Sequence, residues 1–334
     1  MDSLKPSVAV IGAGSWGTAL AMQIARCGQP VLLWGRDSAM MQEIQRLRIN
    51  PRYLPDITLP PSLTATADLA ATLAVAKALL LVVPSAAFAL TIAQLQPGLT
   101  QQIPLAWATK GVDQQRGELL HEVVDRLLGK GYPTAVISGP TFAHEVALGL
   151  PTAVTVAAAK PEIAQYYADL LHGENFRAYT SDDMISVEVG GATKNVLAIA
   201  AGIADGLGFG ANARTALITR GLAELMRLGE ALGGRRETMM GLSGLGDLLL
   251  TSTDNQSRNR RVGIALGEGK TLAETIAAIG QAVEGVDNAR QIYALAQQYK
   301  IETPIIEQVY RVLHEGLAPT EAVRILLQRS QKQE

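Results

Sequence analysis

Residues 7–17 read Ser7-Val8-Ala9-Val10-Ile11-Gly12-Ala13-Gly14-Ser15-Trp16-Gly17, and this stretch decides the fold. Val8, Val10 and Ile11 suit a buried strand, and Gly12, Gly14 and Gly17 then give the G-x-G-x-x-G spacing that opens a helix. In such a turn Gly12 permits the tight reversal, Gly14 lets the main chain approach a pyrophosphate, and Gly17 lets the helix pack closely on the strand. The free N–H groups of that helix face the phosphates. Glycine turns of this spacing also occur without a ligand, but the strand before and the helix after favour a dinucleotide, with Ser15 and Trp16 inside the turn.

Outward from the turn, a helix over 16–26 ends at Gly28 and a second strand covers 31–34. Its tip reads Trp34-Gly35-Arg36-Asp37. An acidic residue here holds the ribose 2′-OH of NAD, whereas an arginine accepts a 2′-phosphate. Arg36 comes first, so NADPH is the expected cofactor, and Asp37 keeps NADH open. Ser38 is expected to cap a helix to about Arg48, after which 50–55 breaks regular structure; Tyr53 there stacks near an adenine or simply packs on the loop. Strands near 63–66, 78–83, 105–108, 134–137, 152–157 and 176–179 alternate with helices, which predicts an α/β, Rossmann-like, mainly parallel sheet. Ligands sit at the carboxyl ends of such strands. Those ends carry Gly12–Gly17, Arg36, Pro84-Ser85, Lys110 and Ser138-Gly139-Pro140-Thr141, which one crevice is expected to collect, with Lys110 as a candidate anion ligand.

After Ser181-Asp182-Asp183 the strand signal nearly vanishes. We therefore expect two domains, 1–181 for NAD(P) and an all-helical 182–334 for substrate and catalysis. The segment 184–204 reads as a buried helix with Gly190-Gly191-Ala192-Thr193-Lys194-Asn195 at its middle. A lysine among Ala, Val and Leu is costly to bury charged; it either snorkels to water or is tuned towards neutral pH, where it can exchange a proton. Two glycines in that helix cost roughly 1 kcal/mol each against alanine, which argues for a main chain needing room beside something. Asp247, entering an apolar run, is by default a helix cap and otherwise a partner for Lys194. Ser257-Arg258-Asn259 at a helix start offer a phosphate a hydroxyl, a guanidinium fork, an amide and free N–H groups; a solvated basic turn is the competing account. Three charge-assisted bonds at roughly 1.5–3 kcal/mol each suffice to hold a small phosphate ester. Glu284, in Gln281-Ala282-Val283-Glu284-Gly285, is kept as a cleft residue.

Composition narrows the partners. A net charge of −2 gives no overall basic field, which excludes nucleic acid or an anionic membrane as the main partner. The single Cys27 forms no internal disulfide and suits a reducing cytoplasm. His144-Glu145 lacks the second histidine of a zinc motif, and no metal is expected. No apolar run approaches the roughly 18 residues of a bilayer span. Lys5 ahead of an apolar segment superficially resembles a secretion signal, but that segment is the nucleotide turn, so the chain is read as mature and soluble, with a polar tail from Gln328 that frays. The apolar second half suggests a homodimer.

The order of these pieces closely resembles the bacterial-type NAD(P)-dependent glycerol-3-phosphate dehydrogenases over essentially the whole chain. The resemblance is carried by Gly12-Ala-Gly-Ser-Trp-Gly-Thr-Ala, Trp34-Gly-Arg, Tyr53-Leu-Pro, Trp107-Ala-Thr-Lys-Gly, Ser138-Gly-Pro-Thr-Phe-Ala, Gly190-Gly-Ala-Thr-Lys-Asn, Gly206-Leu-Gly-Phe-Gly-Ala-Asn-Ala-Arg-Thr-Ala, Gly244-Leu-Gly-Asp and Asn255-Gln-Ser-Arg-Asn-Arg. It implies reversible reduction of dihydroxyacetone phosphate to sn-glycerol 3-phosphate, with Lys194 exchanging the proton and Lys110, Gly139, Thr141, Asp247, Ser257, Arg258 and Asn259 around the substrate. It also implies cofactor contacts at Ser15, Trp16, Arg36, Tyr53, Lys110, Ala143, Arg258, Ala282 and Glu284. His144 stands where relatives often have lysine, and Ala282 where they often have valine. Two rival readings remain at this point: a related dehydrogenase acting on a hydroxy acid, and a nucleotide sensor without turnover.

Overall fold

The computed structural model describes residues 7–99 and 103–330. Lys5 and the end of the polar tail, 331–334, lie outside them. The chain forms two compact units, one of residues up to Thr109 with Leu120–Met184, the other of Lys110–Leu119 with residues from Ile185 onward. This differs from a single cut after residue 181. Val112 and Leu119 are buried in the apolar core of the second unit, and Gln291 donates to the Gln114 carbonyl there (3.0 Å), so the excursion 110–119 has its packing partners in that unit.

The first unit runs β1 (Ser7–Ile11), α1 (Ser15–Arg26), β2 (Val31–Trp34), α2 (Ser38–Leu47), β3 (Leu63–Thr66), α3 (Leu69–Val75), β4 (Ala76–Leu81), α4 (Ser85–Leu95), β5 (Leu105–Trp107), α5 (Leu120–Leu128), β6 (Thr134–Ser138), α6 (Ala143–Leu148), β7 (Thr152–Ala157), α7 (Pro161–Leu171) and β8 (Phe176–Ser181). The eight strands form one sheet in the order β3-β2-β1-β4-β5-β6-β7-β8. Neighbours are parallel except β6 and β7, which pair antiparallel, Ser138 opposite Thr155. The six residues of α6 rise only about 9 Å, less than the length of the strand they would have to run back along for a parallel return. Strands buried on both faces read as continuous apolar runs. Val8, Val10, Leu33, Ala78 and Leu80 accordingly pack with Leu20, Met22 and Ile24 of α1, each large aliphatic side chain contributing about 1.5–3 kcal/mol of burial. Tyr167 of α7 is buried with them and donates its hydroxyl to the carbonyls of Leu79 (2.8 Å) and Pro104 (2.6 Å).

The second unit is helical: α8 (Met184–Gly206), α9 (Ala211–Ala231), α10 (Arg236–Met239), a π-turn over Leu242–Gly246, α11 (Asp247–Thr253), α12 (Arg258–Gly267), α13 (Leu272–Ile279), α14 (Glu284–Gln298), α15 (Pro304–His314) and α16 (Pro319–Leu327). Helix α8 is its centre, buried without interruption from Ser186 to Ala204. By length and composition it could cross a bilayer, contrary to the expectation that no run was long enough; alanine and glycine carry its apolar average past Glu188 and Lys194, and the span is wholly buried within the protein. Where α8 meets α12, main chain touches main chain. A Cβ at Gly202 would lie 2.1 Å from the Arg260 carbonyl oxygen, one at Gly206 2.2 Å from that of Ile264, one at Gly263 2.1 Å from that of Ile199, and one at Gly267 2.6 Å from that of Ile203. Four glycines in two G-x-x-x-G pairs thus interlock the two helices.

Candidate active site

In the first unit the glycine turn has the geometry its spacing requires. Gly12 has φ +121°, and a Cβ there would strike the Val82 carbonyl oxygen at 2.3 Å. A Cβ on Gly17 would lie 1.9 Å from the Gly12 carbonyl oxygen, so the first turn of α1 rests directly on the loop. At Gly14, the N-cap of α1, a Cβ would meet nothing within 4 Å. The main chain is therefore open at the one glycine where a pyrophosphate must approach, and closed at the other two. Ser15 and Trp16 follow at the start of α1, and the buried Trp16 Nε1 has no acceptor among the described residues. This cradle fits a dinucleotide.

At the tip of β2 the structure corrects one expectation. Asp37, not Ser38, caps α2, its carboxylate accepting from Met40 N (3.1 Å). Asp37 precedes the first helical residue, where a side-chain oxygen reaches the third N–H of the helix; Ser38 is already helical. Arg36 is exposed. Tyr53 is half-buried with the Arg52 guanidinium over its ring, 5.4 Å from the centroid. After β6, Gly139 lies against β7, where a Cβ would come within 2.9 Å of the Ala153 carbonyl oxygen; Thr141 donates to the Gly139 carbonyl (3.2 Å), and Ala143 opens α6. The buried Ser138 hydroxyl has no partner among the described residues. Lys110 is grouped with the second unit.

There, Lys194 of α8 is buried and its ammonium donates to Asp247 Oδ1 (2.7 Å) and to Thr251 Oγ1 (2.7 Å). Lys110 donates to the other carboxylate oxygen, Oδ2, at 2.6 Å. Asp247 is fully buried and clamps two amines, so it is an ion-pair partner rather than the helix cap assumed by default; α11 starts from Gly246 without a side-chain cap. Room for this comes from Gly190, where a Cβ would strike the Ser243 carbonyl oxygen of the π-turn at 2.5 Å. Gly190 lies one helical turn before Lys194, on the same face. Burial holds the Lys194 ammonium down to about 8, against the pull of Asp247, with Lys110 pushing the same way as burial. The amine is thus poised near neutral pH, as a group that exchanges protons must be.

The helix start at α12 is capped by Ser257, whose hydroxyl accepts from Arg260 N (3.2 Å). Helix geometry leaves the N–H groups of Arg258 and Asn259 without an acceptor inside the helix. Arg258 donates to Gln281 Oε1 (3.1 Å) and to the Ala282 carbonyl (3.0 Å). Asn259 donates to Asn195 Oδ1 (2.9 Å) and accepts from Gly285 N (2.9 Å), tying the residue beside Lys194 to the start of α14. Arg260, which the sequence does not separate from its neighbours, is structural: it is buried and held by the Ser252 carbonyl (3.0 Å), Asn255 and Asp205. Glu284 is raised above the ordinary carboxylate range by burial, opposed by Arg258, Lys110 and Lys194, so these four charges share one neighbourhood. Thr251 and Asn195 were missed as site residues. Thr251 sits four residues after Asp247, one turn along the same helix face, and that spacing was the available signal.

Among the described residues no group of three His, Cys, Asp or Glu could hold a metal ion.

Comparison with known proteins adds the following. Family models described as the N-terminus and C-terminus of NAD-dependent glycerol-3-phosphate dehydrogenase match residues 7–164 and 183–324. The glycerol-3-phosphate dehydrogenase (NAD(P)+) of Nitrosococcus oceani is 58% identical over 325 residues, covering 97% of this chain and 94% of that protein. That of Thioalkalivibrio sulfidiphilus is 58% identical over 330 residues, covering 99% of each. The crystal structure of glycerol-3-phosphate dehydrogenase from Coxiella burnetii superposes with a TM-score of 0.94 at 52% identity, covering 98% of this chain and 100% of that one.

Proposed function

Since this chain belongs to the NAD-dependent glycerol-3-phosphate dehydrogenase family, we propose a mechanism in which Lys194 is the proton donor. The enzyme catalyses the reversible, NAD(P)H-dependent reduction of dihydroxyacetone phosphate to sn-glycerol 3-phosphate, a precursor of glycerophospholipids. When bound, the reduced nicotinamide supplies a hydride to the C2 carbonyl carbon. Lys194 donates its proton to the alkoxide oxygen that develops there, and its positive charge stabilises that oxygen before the proton moves. Asp247 holds the amine through Oδ1 while its other oxygen occupies Lys110, and the Thr251 hydroxyl fixes the direction of the third hydrogen bond. Arg258, Asn259 and Ser257 hold the phosphate at the start of α12, and the resemblance gives Gly139 and Thr141 as further substrate contacts. Held at the phosphate and at the C2 oxygen, the three-carbon chain has little freedom left when the reaction begins. In the first unit Gly12, Gly14, Ser15, Trp16 and Gly17 seat the pyrophosphate, and Arg36, Tyr53 and Ala143 add cofactor contacts; the resemblance also gives Lys110, Arg258, Ala282 and Glu284 as cofactor contacts.

The observation that carries this reading is the buried Lys194–Asp247–Lys110 clamp: two lysines converge on one inaccessible carboxylate, and the Lys194 ammonium is held down to about 8, where it can exchange a proton. NADPH is the preferred cofactor in this reading: the Asp37 carboxylate is engaged at the start of α2, leaving exposed Arg36 for a 2′-phosphate. We also place the enzyme in the cytoplasm, which its single thiol fits, and expect a homodimer, with Met240, Leu249 and Ile276 exposed on the second unit.

NADPH absorbance followed with dihydroxyacetone phosphate tests the assignment, and absence of turnover would leave only a nucleotide sensor. The same assay over about pH 6 to about pH 10 gives a pH profile with a definite sign. Reduction needs the ammonium, so kcat/KM, which reports the free enzyme, falls as pH rises through about 8; oxidation needs the amine, so kcat/KM rises through the same value. Profiles flat across that range would remove Lys194 as the titrating group. Arg258→Met deletes the phosphate fork and is expected to raise KM for dihydroxyacetone phosphate about 10- to 100-fold, as loss of a charge-assisted bond implies. An unchanged KM in steady-state kinetics would point instead to a substrate without phosphate.

A further inference from the structure

Asn50 lies in the irregular stretch between α2 and β3 and is 0% exposed, an unusual place for an asparagine. Its side-chain Nδ2 donates to the Ala13 carbonyl (3.1 Å), inside the glycine turn, and to Thr18 Oγ1 (2.9 Å) on α1. Its own main-chain carbonyl accepts from Tyr53 N (3.2 Å) and Leu54 N (2.8 Å). One residue therefore ties the turn to the loop that carries Tyr53. The Ala13 carbonyl can only accept, which fixes the amide with its nitrogen inward. Asn50 Oδ1 then has no donor among the described residues. A buried acceptor left unpaired is a cost, so if the position served only to fill space, an apolar residue of the same size would serve better.

The two donations are what an apolar residue lacks, and their effect follows from peptide geometry. A trans peptide is planar with its C=O and N–H antiparallel. Holding the Ala13 oxygen against Asn50 therefore turns the Gly14 N–H away from Asn50, at the one glycine of the turn where a Cβ would meet nothing within 4 Å. We infer that Asn50 is a positioning residue for the dinucleotide: it aims the Gly14 N–H at the pyrophosphate and couples that aim to the Tyr53 loop. This rests on the cofactor reading of the glycine turn given above.

Asn50→Leu keeps the volume and removes both donations, and Asn50→Asp keeps the shape but sets an oxygen against the Ala13 oxygen. Both are expected to raise the KM and Kd for NADPH about tenfold or more, with kcat and the KM for dihydroxyacetone phosphate within about twofold of the wild type. Thr18→Val removes one acceptor and is expected to weaken NADPH about threefold, while Thr18→Ser, which keeps the hydroxyl, restores it. Should the Asn50 variants fail to fold, the Thr18 pair carries the test. Unchanged NADPH constants in a folded Asn50→Leu and in Thr18→Val overturn the inference, as does a uniform loss across kcat and both KM values, which a merely structural role produces. A wild-type protein that does not bind NADPH would instead refute the cofactor reading itself.

Discussion

Lys194→Met is expected to lower kcat for dihydroxyacetone phosphate reduction by roughly 10³- to 10⁵-fold, combining the loss of a general acid with the loss of the charge that stabilises the alkoxide. That corresponds to about 4–7 kcal/mol of barrier. Methionine matches the length of the lysine stem and is apolar, so it suits the buried middle of α8, and Asp247 keeps Lys110 as a counter-charge. In the proposed reading the glycine turn of the first unit seats the cofactor, so cofactor affinity should stay within about threefold, the size of a secondary packing effect. Single-turnover kinetics beside an NADPH titration separates the two quantities. A kcat near that of the wild type would take the lysine out of the chemistry, and a lost NADPH affinity would mean that the cradle was damaged.

The second large effect is expected at Asp247. Asp247→Asn keeps the shape of the side chain but leaves Lys110 and Lys194 in a buried site with no carboxylate between them. Breaking a buried pair in this way costs about 3–5 kcal/mol, so Tm should fall by several degrees. The same change acts on the rate. Asp247 is the strongest influence holding the Lys194 proton on, so its loss moves that group below its present value of about 8. The pH limit for reduction then shifts to the acid side, and at neutral pH less ammonium remains to act. Adding Lys110→Met to this variant should restore part of the stability, because one uncompensated charge replaces two. Differential scanning fluorimetry and pH–rate profiles on the single and double variants decide the matter. A strictly additive pair with an unmoved pH limit would mean that the three side chains are neighbours without coupling.

What was legible in the sequence was what short-range patterns determine. The glycine turn shows itself because three glycines at that spacing after a β-branched run need no distant partner to be read. Lys194 stands out because a charge in an apolar helix is expensive wherever the helix lies. Asp247 was ambiguous because a capping aspartate and an ion-pairing one leave the same local trace, and only the approach of α8 to the π-turn through Gly190 separates them. Arg258 and Arg260 look alike in Ser257-Arg-Asn-Arg, yet the second is committed to Asp205 and Asn255, partners that only the tertiary fold supplies. The excursion 110–119 and the reversed direction of β7 were likewise hidden, since both depend on what lies across from a segment rather than within it. Asn50 was read only as part of a helix-breaking stretch, because a buried amide and an exposed one share a letter.

The four-glycine crossing of α8 and α12 works as a calliper. Lys194 lies eight residues before Gly202, and Ser257 six residues before Gly263, so about 12 Å and about 9 Å of stiff rod run from the pivot to the two jaws. Since backbone bears on backbone at the pivot, the gap between the jaws is insulated from drift in the surrounding apolar wall. Leucines and valines there can be exchanged over generations without resetting the tool, whereas one methyl group at the pivot would spring it open.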